Sequence, residues 1–172
     1  MAATSTRPGT LLIGVTGHRA IRDPDRVTAA ISAVLDRLLA DGSVPIVITS
    51  LAEGADRLVA ELVLARGGGE EVILPMPVED YERDFPTPES RRQFANLLAR
   101  ASSTSVAGPT DCPRELAYEL AGEAMVERSH VVIALWDGFP ASGRGGTAAT
   151  IQYALEHDVK VEIVSVERAV PR

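Results

Sequence analysis

The stretch VVIALWDGFPASGRGGT, residues 131–147, decides the fold. Its first part, residues 131–136, is an unbroken apolar run with the length and composition of a strand buried inside a parallel sheet. Ten residues rich in glycine follow, and from Thr147 a helical pattern continues to His157. A buried strand that leads through a glycine-rich loop into a helix is the repeating unit of α/β proteins.

The same alternation of strand-like and helical segments extends over the rest of the chain. We predict further strands at residues 11–15, 45–49, 72–74, 104–107 and 159–164. Predicted helices follow Asp23-Pro24, occupy the region around residues 58–63, follow Thr87-Pro88, and cover residues 113–128 and 147–157. The sequence therefore predicts an α/β fold, with a mainly parallel sheet and helices on both faces. The half-polar alternation of residues 159–164 favours an edge position for that strand.

Length and composition limit the classes of function. The 172 residues suffice for one domain, which we place at 10–166, between a disordered leader at 1–9 and a tail at 167–172. The formal net charge of −7 argues against a broad nucleic-acid-binding surface but leaves room for a small anion pocket. A single cysteine, Cys112, excludes an internal disulfide and a multi-thiolate zinc site. Since no apolar run is long enough for a membrane helix, we expect a cytoplasmic protein.

The first loop of interest is Thr16-Gly17-His18-Arg19, directly after the first strand. In a parallel sheet all such loops open at the carboxyl edge, where ligands bind. An imidazole and a guanidinium there suit a phosphate or a carboxylate. A surface turn in which the arginine pairs with a nearby acid accounts for the same residues equally well.

The second loop, residues 50–56 (SLAEGAD), leads into the second helix. Ser50 is a candidate to bind a ligand or to cap the helix, and Gly54 allows backbone amides to approach an anion. Asp56 is either an ordinary acid at a helix N-terminus or an acceptor for a ligand. Glu53 lies within the loop itself and is the better candidate for an acid or base.

The third loop, residues 75–86, is polar and contains three prolines, so we predict a long functional loop. Tyr81 or Phe85 would stack on a base there, with Arg83 near a phosphate. Either ring would equally serve as a packing residue, and for Phe85 we favour packing.

The fourth loop, residues 137–147, carries the strongest signal. Gly143, Gly145 and Gly146, with Ser142 and Thr147, lead into a helix N-terminus and are typical of a backbone cradle for phosphate. No lysine follows the glycines, which excludes a Walker A loop, and no G-x-G-x-x-G follows the first strand. The three histidines are scattered without metal-ligand spacing, so we expect no metal.

Taken together, four segments resemble the SLOG superfamily: residues 14–19 (GVTGHR), 50–56 (SLAEGAD), 74–85 (LPMPVEDYERDF) and 145–147 (GGT). This superfamily joins the DNA-processing protein A fold, the lonely-guy phosphoribohydrolases and the molybdenum-cofactor carrier proteins, and the third segment is similar to a bacterial branch. The resemblance extends over residues 11–164. It implies a Rossmann-like three-layer sandwich that binds a nucleotide or a nucleotide-derived ligand, and a homo-oligomer.

One departure from the family bears on the reaction. Lonely-guy enzymes carry P-G-G-x-G-T-x-x-E, whose glutamate serves hydrolysis of the N-glycosidic bond, and this chain has Thr150 at that position. We therefore expect a sensor or carrier domain, and keep N-glycosidic hydrolysis with Glu53 or Asp137 as acid/base, and molybdenum-cofactor carriage, as alternatives. The residues assigned to the ligand are Thr16, Gly17, His18, Arg19, Ser50, Glu53, Gly54, Asp56, Tyr81, Ser142, Gly143, Arg144, Gly145, Gly146 and Thr147.

Overall fold

A six-stranded, entirely parallel sheet forms the centre of the protein in a computed structural model that describes residues 9–140 and 145–167. The strands are β1 (Thr10–Gly17), β2 (Val44–Thr49), β3 (Gly69–Leu74), β4 (Ser103–Val106), β5 (Val131–Trp136) and β6 (Lys160–Ser165). Their spatial order is β4-β3-β2-β1-β5-β6. The predicted α/β, Rossmann-like architecture is confirmed, and β6 lies at an edge as its alternating pattern predicts.

In the part of the chain that the structure describes, six helices pack around the sheet. They are α1 (Pro24–Leu38), α2 (Ala55–Ala65), α3 (Val78–Tyr81), α4 (Pro88–Leu98), α5 (Arg114–Glu127) and α6 (Thr147–Glu156), with a 3₁₀ turn at Glu82–Asp84. The side chain of Asp23 caps α1 by accepting from the Arg26 backbone N–H, and Thr87 caps α4 in the same way. Within the described ranges, no helix is long and apolar enough to cross a membrane.

Two hydrophobic clusters lie on opposite faces of the sheet, because successive strand side chains alternate between the faces. In β5, Val131, Ile133 and Leu135 pack in the larger cluster with buried residues of α1, α2 and α4. Val132, from the same strand, packs in the smaller cluster with buried residues of α5 and α6. This arrangement gives the helix–sheet–helix layers that the sequence predicts.

The segment after β3 differs from the long functional loop predicted for residues 75–86. It folds into α3 and the 3₁₀ turn, and Tyr81 and Phe85 are fully buried. Their ring centroids lie 5.1 Å apart in an edge-on arrangement, and Phe94 of α4 completes the cluster at 5.0 Å from Phe85. Burial of this aromatic surface fixes the segment on the domain, so the packing role favoured for Phe85 is confirmed.

The chain reverses its direction of travel across the sheet between β1 and β5. From β1 it steps outward through β2 and β3 to β4, and it then returns to pair β5 with the other side of β1. Such a switch point leaves a crevice at the carboxyl ends of the two strands. The topology therefore positions a ligand site beside the ends of β1 and β5.

Candidate functional site

A cavity of about 500 Å³ lies at the carboxyl ends of β1, β2 and β5. This volume falls within the range of small-molecule and cofactor sites. Three loops and four helices supply the walls. They are the loops after β1, β2 and β5, the N-termini of α2 and α6, the end of α3, and one face of α5. The cavity thus occupies the switch point that the topology creates.

The structure brings most of the predicted site residues to this cavity and leaves others elsewhere. Those that line it are Thr16, Gly17, His18, Arg19, Ser50, Asp56, Tyr81, Gly145, Gly146 and Thr147. Glu53, Gly54, Asp137 and Arg83 are described but are not lining residues. Ser142, Gly143 and Arg144 lie outside the described residues.

Gly54 holds two of the site loops together. Its φ of 78° suits glycine, and a Cβ at this position would lie 2.4 Å from the carbonyl oxygens of His18 and Arg19. The next backbone N–H, that of Ala55, donates to the His18 carbonyl at 3.2 Å. Because this amide of α2 already has a partner in the protein, the structure gives Gly54 a packing position in place of the anion-binding position that we predicted.

Arg19 supplies the positive charge of the cavity. Its side chain is 42% exposed, and its Nη2 lies 3.5 Å from Oδ2 of Asp84. The guanidinium also lies over the ring of Tyr118, 5.4 Å from the centroid. Asp84 forms a second ion pair with Arg114, so one carboxylate is shared between two guanidinium groups. The pairing of Arg19 with a nearby acid matches the alternative reading of this loop as a turn.

Asp56 is the one carboxylate among the described residues that line the cavity. It is only 7% exposed. Its Oδ2 accepts from the Thr49 hydroxyl at 2.9 Å and from the Ser50 backbone N–H at 3.1 Å. Burial raises the pKa of Asp56 above its ordinary value, although these two hydrogen bonds oppose the rise.

Tyr81 lies beside Asp56 at the same part of the cavity wall. The side chain is fully buried, and its hydroxyl has no hydrogen-bond partner among the described residues. Burial, and then the negative charge of Asp56, raise the pKa of Tyr81 above its ordinary value. The hydroxyl consequently keeps its proton and remains a donor.

Glu53 belongs to a buried network next to the cavity. Its Oε1 accepts from the Ser90 hydroxyl, whose oxygen in turn accepts from Nη1 of Arg57 at 2.9 Å. Arg57 is 3% exposed, stacks on Phe85 at 4.4 Å, and donates from Nε to the Leu51 carbonyl. The position predicted for Glu53, facing the ligand, is therefore corrected, because its carboxylate is drawn toward Ser90 and the buried guanidinium.

His18 and Asp137 form a pair at the cavity wall. Nε2 of His18 lies 3.1 Å from Oδ1 of Asp137 and 3.3 Å from the Asp137 backbone nitrogen. The Asp137 backbone N–H donates to Nε2 of His18, and the carboxylate of Asp137 lies on the same side of the ring. The same Oδ1 accepts from the Phe139 backbone N–H at 3.1 Å. Asp137 thereby orients the imidazole and fixes the turn that carries Phe139.

The N-terminus of α6 forms one end of the cavity. Gly146 is the N-cap, and Gly146, Thr147 and Ala148 all line the cavity. The first turn contains no acidic residue. Gly145, with a φ of 67°, packs so closely on α5 that a Cβ would lie 2.8 Å from the Glu119 backbone nitrogen. The helix therefore directs its positive end toward the cavity.

Sequence reasoning missed the wall that α5 supplies. Four residues of this helix line the cavity: Tyr118, Ala121, Gly122 and Met125. Trp136, the last residue of β5, and Phe139 in the loop after it line the cavity as well. The one signal available was the Ala-Gly pair inside a predicted helix, which marks a close approach. No group of three or more His, Cys, Asp or Glu side chains in the described part of the chain is placed to hold a metal ion.

Comparison with known proteins bears on the fold. No protein-family model and no curated protein matches this sequence. Among solved structures, DNA processing protein A from Streptococcus pneumoniae matches with a TM-score of 0.62 at 18% identity, over 90% of this chain and 50% of that one. DNA processing protein A from Helicobacter pylori, described for its single-stranded DNA binding mode, matches with a TM-score of 0.64 at 16% identity, over 90% and 65%.

The molybdenum cofactor carrier protein from Chlamydomonas reinhardtii matches with a TM-score of 0.50 at 15% identity, over 90% of this chain and 76% of that one. The chain thus spans about half of the Streptococcus pneumoniae protein. Identities this low establish the fold alone. The comparison confirms the fold: the chain shares a Rossmann-like fold with these proteins.

Proposed function

We propose that the chain binds a nucleotide, or a nucleotide-derived ligand with a phosphate group, and that it acts as a sensor or carrier domain. One observation carries this proposal. The N-terminus of α6 and the guanidinium of Arg19 line the same cavity of about 500 Å³ at the switch point of a Rossmann-like sheet. A cavity of this size accommodates a mononucleotide.

The phosphate would bind at the N-terminus of α6. The first backbone N–H groups of a helix have no partner within the helix, and the helix dipole adds a partial positive charge. Thr147 contributes a hydroxyl there, and Arg19 contributes a full charge from the neighbouring loop. Together these groups form a complete anion site, without the lysine of a Walker loop.

Three observations favour binding over cleavage. The position of the lonely-guy glutamate is Thr150, whose hydroxyl lies 3.3 Å from the Gly146 carbonyl. Glu53 is engaged by Ser90 outside the cavity. Asp56 already accepts two hydrogen bonds from its own loop. A general acid or base must reach the scissile bond, and none of these side chains is free in that position.

The pair formed by His18 and Asp137 keeps N-glycosidic hydrolysis as a second candidate. His18 lines the cavity, and Asp137 orients its imidazole. An imidazole held by a carboxylate is a common general acid or base. Release of free base from AMP by the wild-type protein, lost in Asp137→Asn and retained in Glu53→Ala, would establish this reaction. Absence of release would leave binding alone.

Two further ligands follow from the structural neighbours. Molybdenum cofactor, which the Chlamydomonas reinhardtii neighbour carries, is a pterin with a phosphate group. The N-terminus of α6 would hold this phosphate, and pterin fluorescence of the purified protein would support the assignment. Single-stranded DNA is the ligand named for the Helicobacter pylori neighbour. The net charge of −7 disfavours a long phosphate chain, so we expect a mononucleotide to bind more tightly than a short oligonucleotide.

Trp136 provides the experiment. It is the only tryptophan of the chain and it lines the cavity, so its fluorescence reports on occupancy. We expect saturable quenching or enhancement with AMP, ADP, NAD or ADP-ribose, and a dissociation constant raised about tenfold or more in Arg19→Gln.

Arg22→Gln is the matched control, because Arg22 pairs with Glu167 on the surface and does not line the cavity. Its affinity should equal that of the wild type. No fluorescence change with any of these ligands at millimolar concentration, in folded protein, would contradict the proposed function. Equal losses of affinity in both arginine variants would remove Arg19 from the site.

A further inference from the structure

We propose that the hydroxyl of Tyr81, together with Asp56, binds the uncharged part of the ligand at the end of the cavity away from α6. This inference rests on the proposed function and adds to it the orientation of the ligand in the cavity. Asp56 and Ser50 follow β2, whereas α6 follows β5, and the two strands flank β1 on opposite sides. A ligand that fills the cavity therefore crosses the end of β1, with one end at each site.

The unpaired hydroxyl of Tyr81 is the first line of support. Tyr81 is fully buried, it is a lining residue of the cavity, and its oxygen has no hydrogen-bond partner among the described residues. A buried hydroxyl without a partner destabilises the folded protein. Phenylalanine would fill the same space without this cost, so packing of the ring does not explain the hydroxyl.

The chemistry of the neighbouring side chain is the second line of support. Oδ2 of Asp56 accepts from Thr49 and from Ser50, and the Ala52 backbone N–H also acts on its carboxylate. Its carboxylate still has lone pairs for a donor, and the Tyr81 hydroxyl requires an acceptor. The buried carboxylate of Asp56 disfavours a phosphate here, and the guanidinium of Arg19, which also acts on Asp56 and Tyr81, offsets only part of that charge.

The group that satisfies both residues is neutral and offers an acceptor next to a donor. Two parts of a nucleotide have this chemistry: the hydrogen-bonding edge of a nucleobase, and the hydroxyls of the ribose. Inorganic phosphate has neither part, ribose 5-phosphate has the hydroxyls alone, and AMP has both. Affinities for these three probes consequently identify the part that is bound.

The test compares wild type, Tyr81→Phe and Tyr153→Phe with the three probes, by Trp136 fluorescence or calorimetry. Tyr153 is the matched control, since its hydroxyl binds Glu127 outside this cavity. For Tyr81→Phe we expect affinity for AMP to fall about 3- to 10-fold while affinity for inorganic phosphate is unchanged. We also expect the midpoint of thermal unfolding of the ligand-free protein to rise by about 2–4 °C.

A ligand contact predicts that Tyr81→Phe lowers affinity for AMP but raises the midpoint of thermal unfolding. A purely structural role of the hydroxyl predicts that both fall together. A loss seen with ribose 5-phosphate assigns the sugar hydroxyls, and a loss seen with AMP alone assigns the base edge. Unchanged affinity of Tyr81→Phe for AMP and for ribose 5-phosphate, with intact wild-type binding, would overturn this inference and leave the proposed function standing. No binding of any probe by the wild type would overturn both.

Discussion

Glu70 makes the stability of the protein depend on pH. This β3 residue is fully buried, and neither of its carboxylate oxygens has a hydrogen-bond partner among the described residues. It lies in register with Val47 of β2, which is also fully buried. Burial raises the pKa of Glu70 from 4.5 to about 7, although the charge of Arg100 opposes the rise.

The sign of the effect follows from proton binding. Because the pKa of Glu70 is higher in the folded than in the unfolded state, the folded protein binds the proton more tightly, and stability falls as pH rises from about 4.5 through about 7. At about 1.36 kcal/mol for each pH unit, the loss amounts to about 3 kcal/mol. Below pH 4.5 both states are protonated and Glu70 contributes no dependence.

Glu70→Gln should remove this dependence. We expect the variant to be more stable than the wild type by about 3 kcal/mol at pH 8, and similar to it at pH 4.5, where the wild-type acid is neutral. Urea denaturation at a series of pH values measures both free energies of unfolding. The difference between the two free energies of unfolding at each pH cancels the contributions of the other titrating groups. Asp56 is one of these groups, and its raised pKa also makes stability fall as pH rises.

Glu89→Gln is the control for this series, because Glu89 is 79% exposed and pairs with Arg92 on the surface. Its curve should follow the wild type within about 0.5 kcal/mol. If Glu70→Gln were less stable than the wild type at pH 8, or if the difference did not change with pH, Glu70 would be charged and paired in the folded protein and the reasoning would be refuted.

Two further predictions concern the site loops. Both Gly54 and Gly42 have a positive φ, but only at Gly54 would a Cβ lie against backbone oxygens. In urea denaturation, Gly54→Ala should therefore destabilise the protein by at least about 2 kcal/mol more than Gly42→Ala. Equal losses of stability would show that the two loops are not in contact at Gly54. Phe139→Ala should leave stability unchanged, since the ring is 68% exposed, and should change affinity for AMP by less than about 2-fold, because Phe139 lies in the loop that leads to α6 and away from the end proposed for the base. A loss of about 5-fold or more in a fluorescence titration would place the base beside Phe139.

The sequence predicts the order of strands and helices because each element has its own apolar pattern. β5 has an all-apolar run, and β6, in which polar and apolar residues mix, lies at an edge of the sheet. β3 begins at Gly69, three residues before the predicted start at Val72. The prediction missed this first part because Glu70 and Glu71 have the polarity of a loop. Local sequence cannot reveal that Glu70 is buried, since that depends on the helices that pack over it.

The segment at residues 75–86 shows the limit of local patterns. Its prolines and charges are typical of a loop, and its four apolar residues besides proline do not define a helical period. The spacing of Tyr81 and Phe85, four residues apart, was the available signal for one buried face. Their contact with Phe94 of α4 fixes the segment, and contacts between distant residues are not encoded in any short window.

The site was predictable where loops follow strands, because parallel topology gathers those loops at one edge. That rule places residues 16–19 and Gly145-Gly146-Thr147 correctly at the cavity. It does not reveal side-chain direction, and for this reason Glu53 was assigned to the ligand although it binds Ser90. Nor does it include the face of α5, which reaches the cavity from one side of the sheet.

The central claim is that a phosphate-bearing ligand binds with its phosphate at the N-terminus of α6. The most direct measurement is an NMR titration of ¹⁵N-labelled protein with AMP, followed through the backbone amides. We expect the largest saturable shifts at Thr147, Ala148 and Ala149, the first amides of α6. Saturable binding with shifts confined to residues away from the cavity, such as the edge strand β4, would contradict the claim.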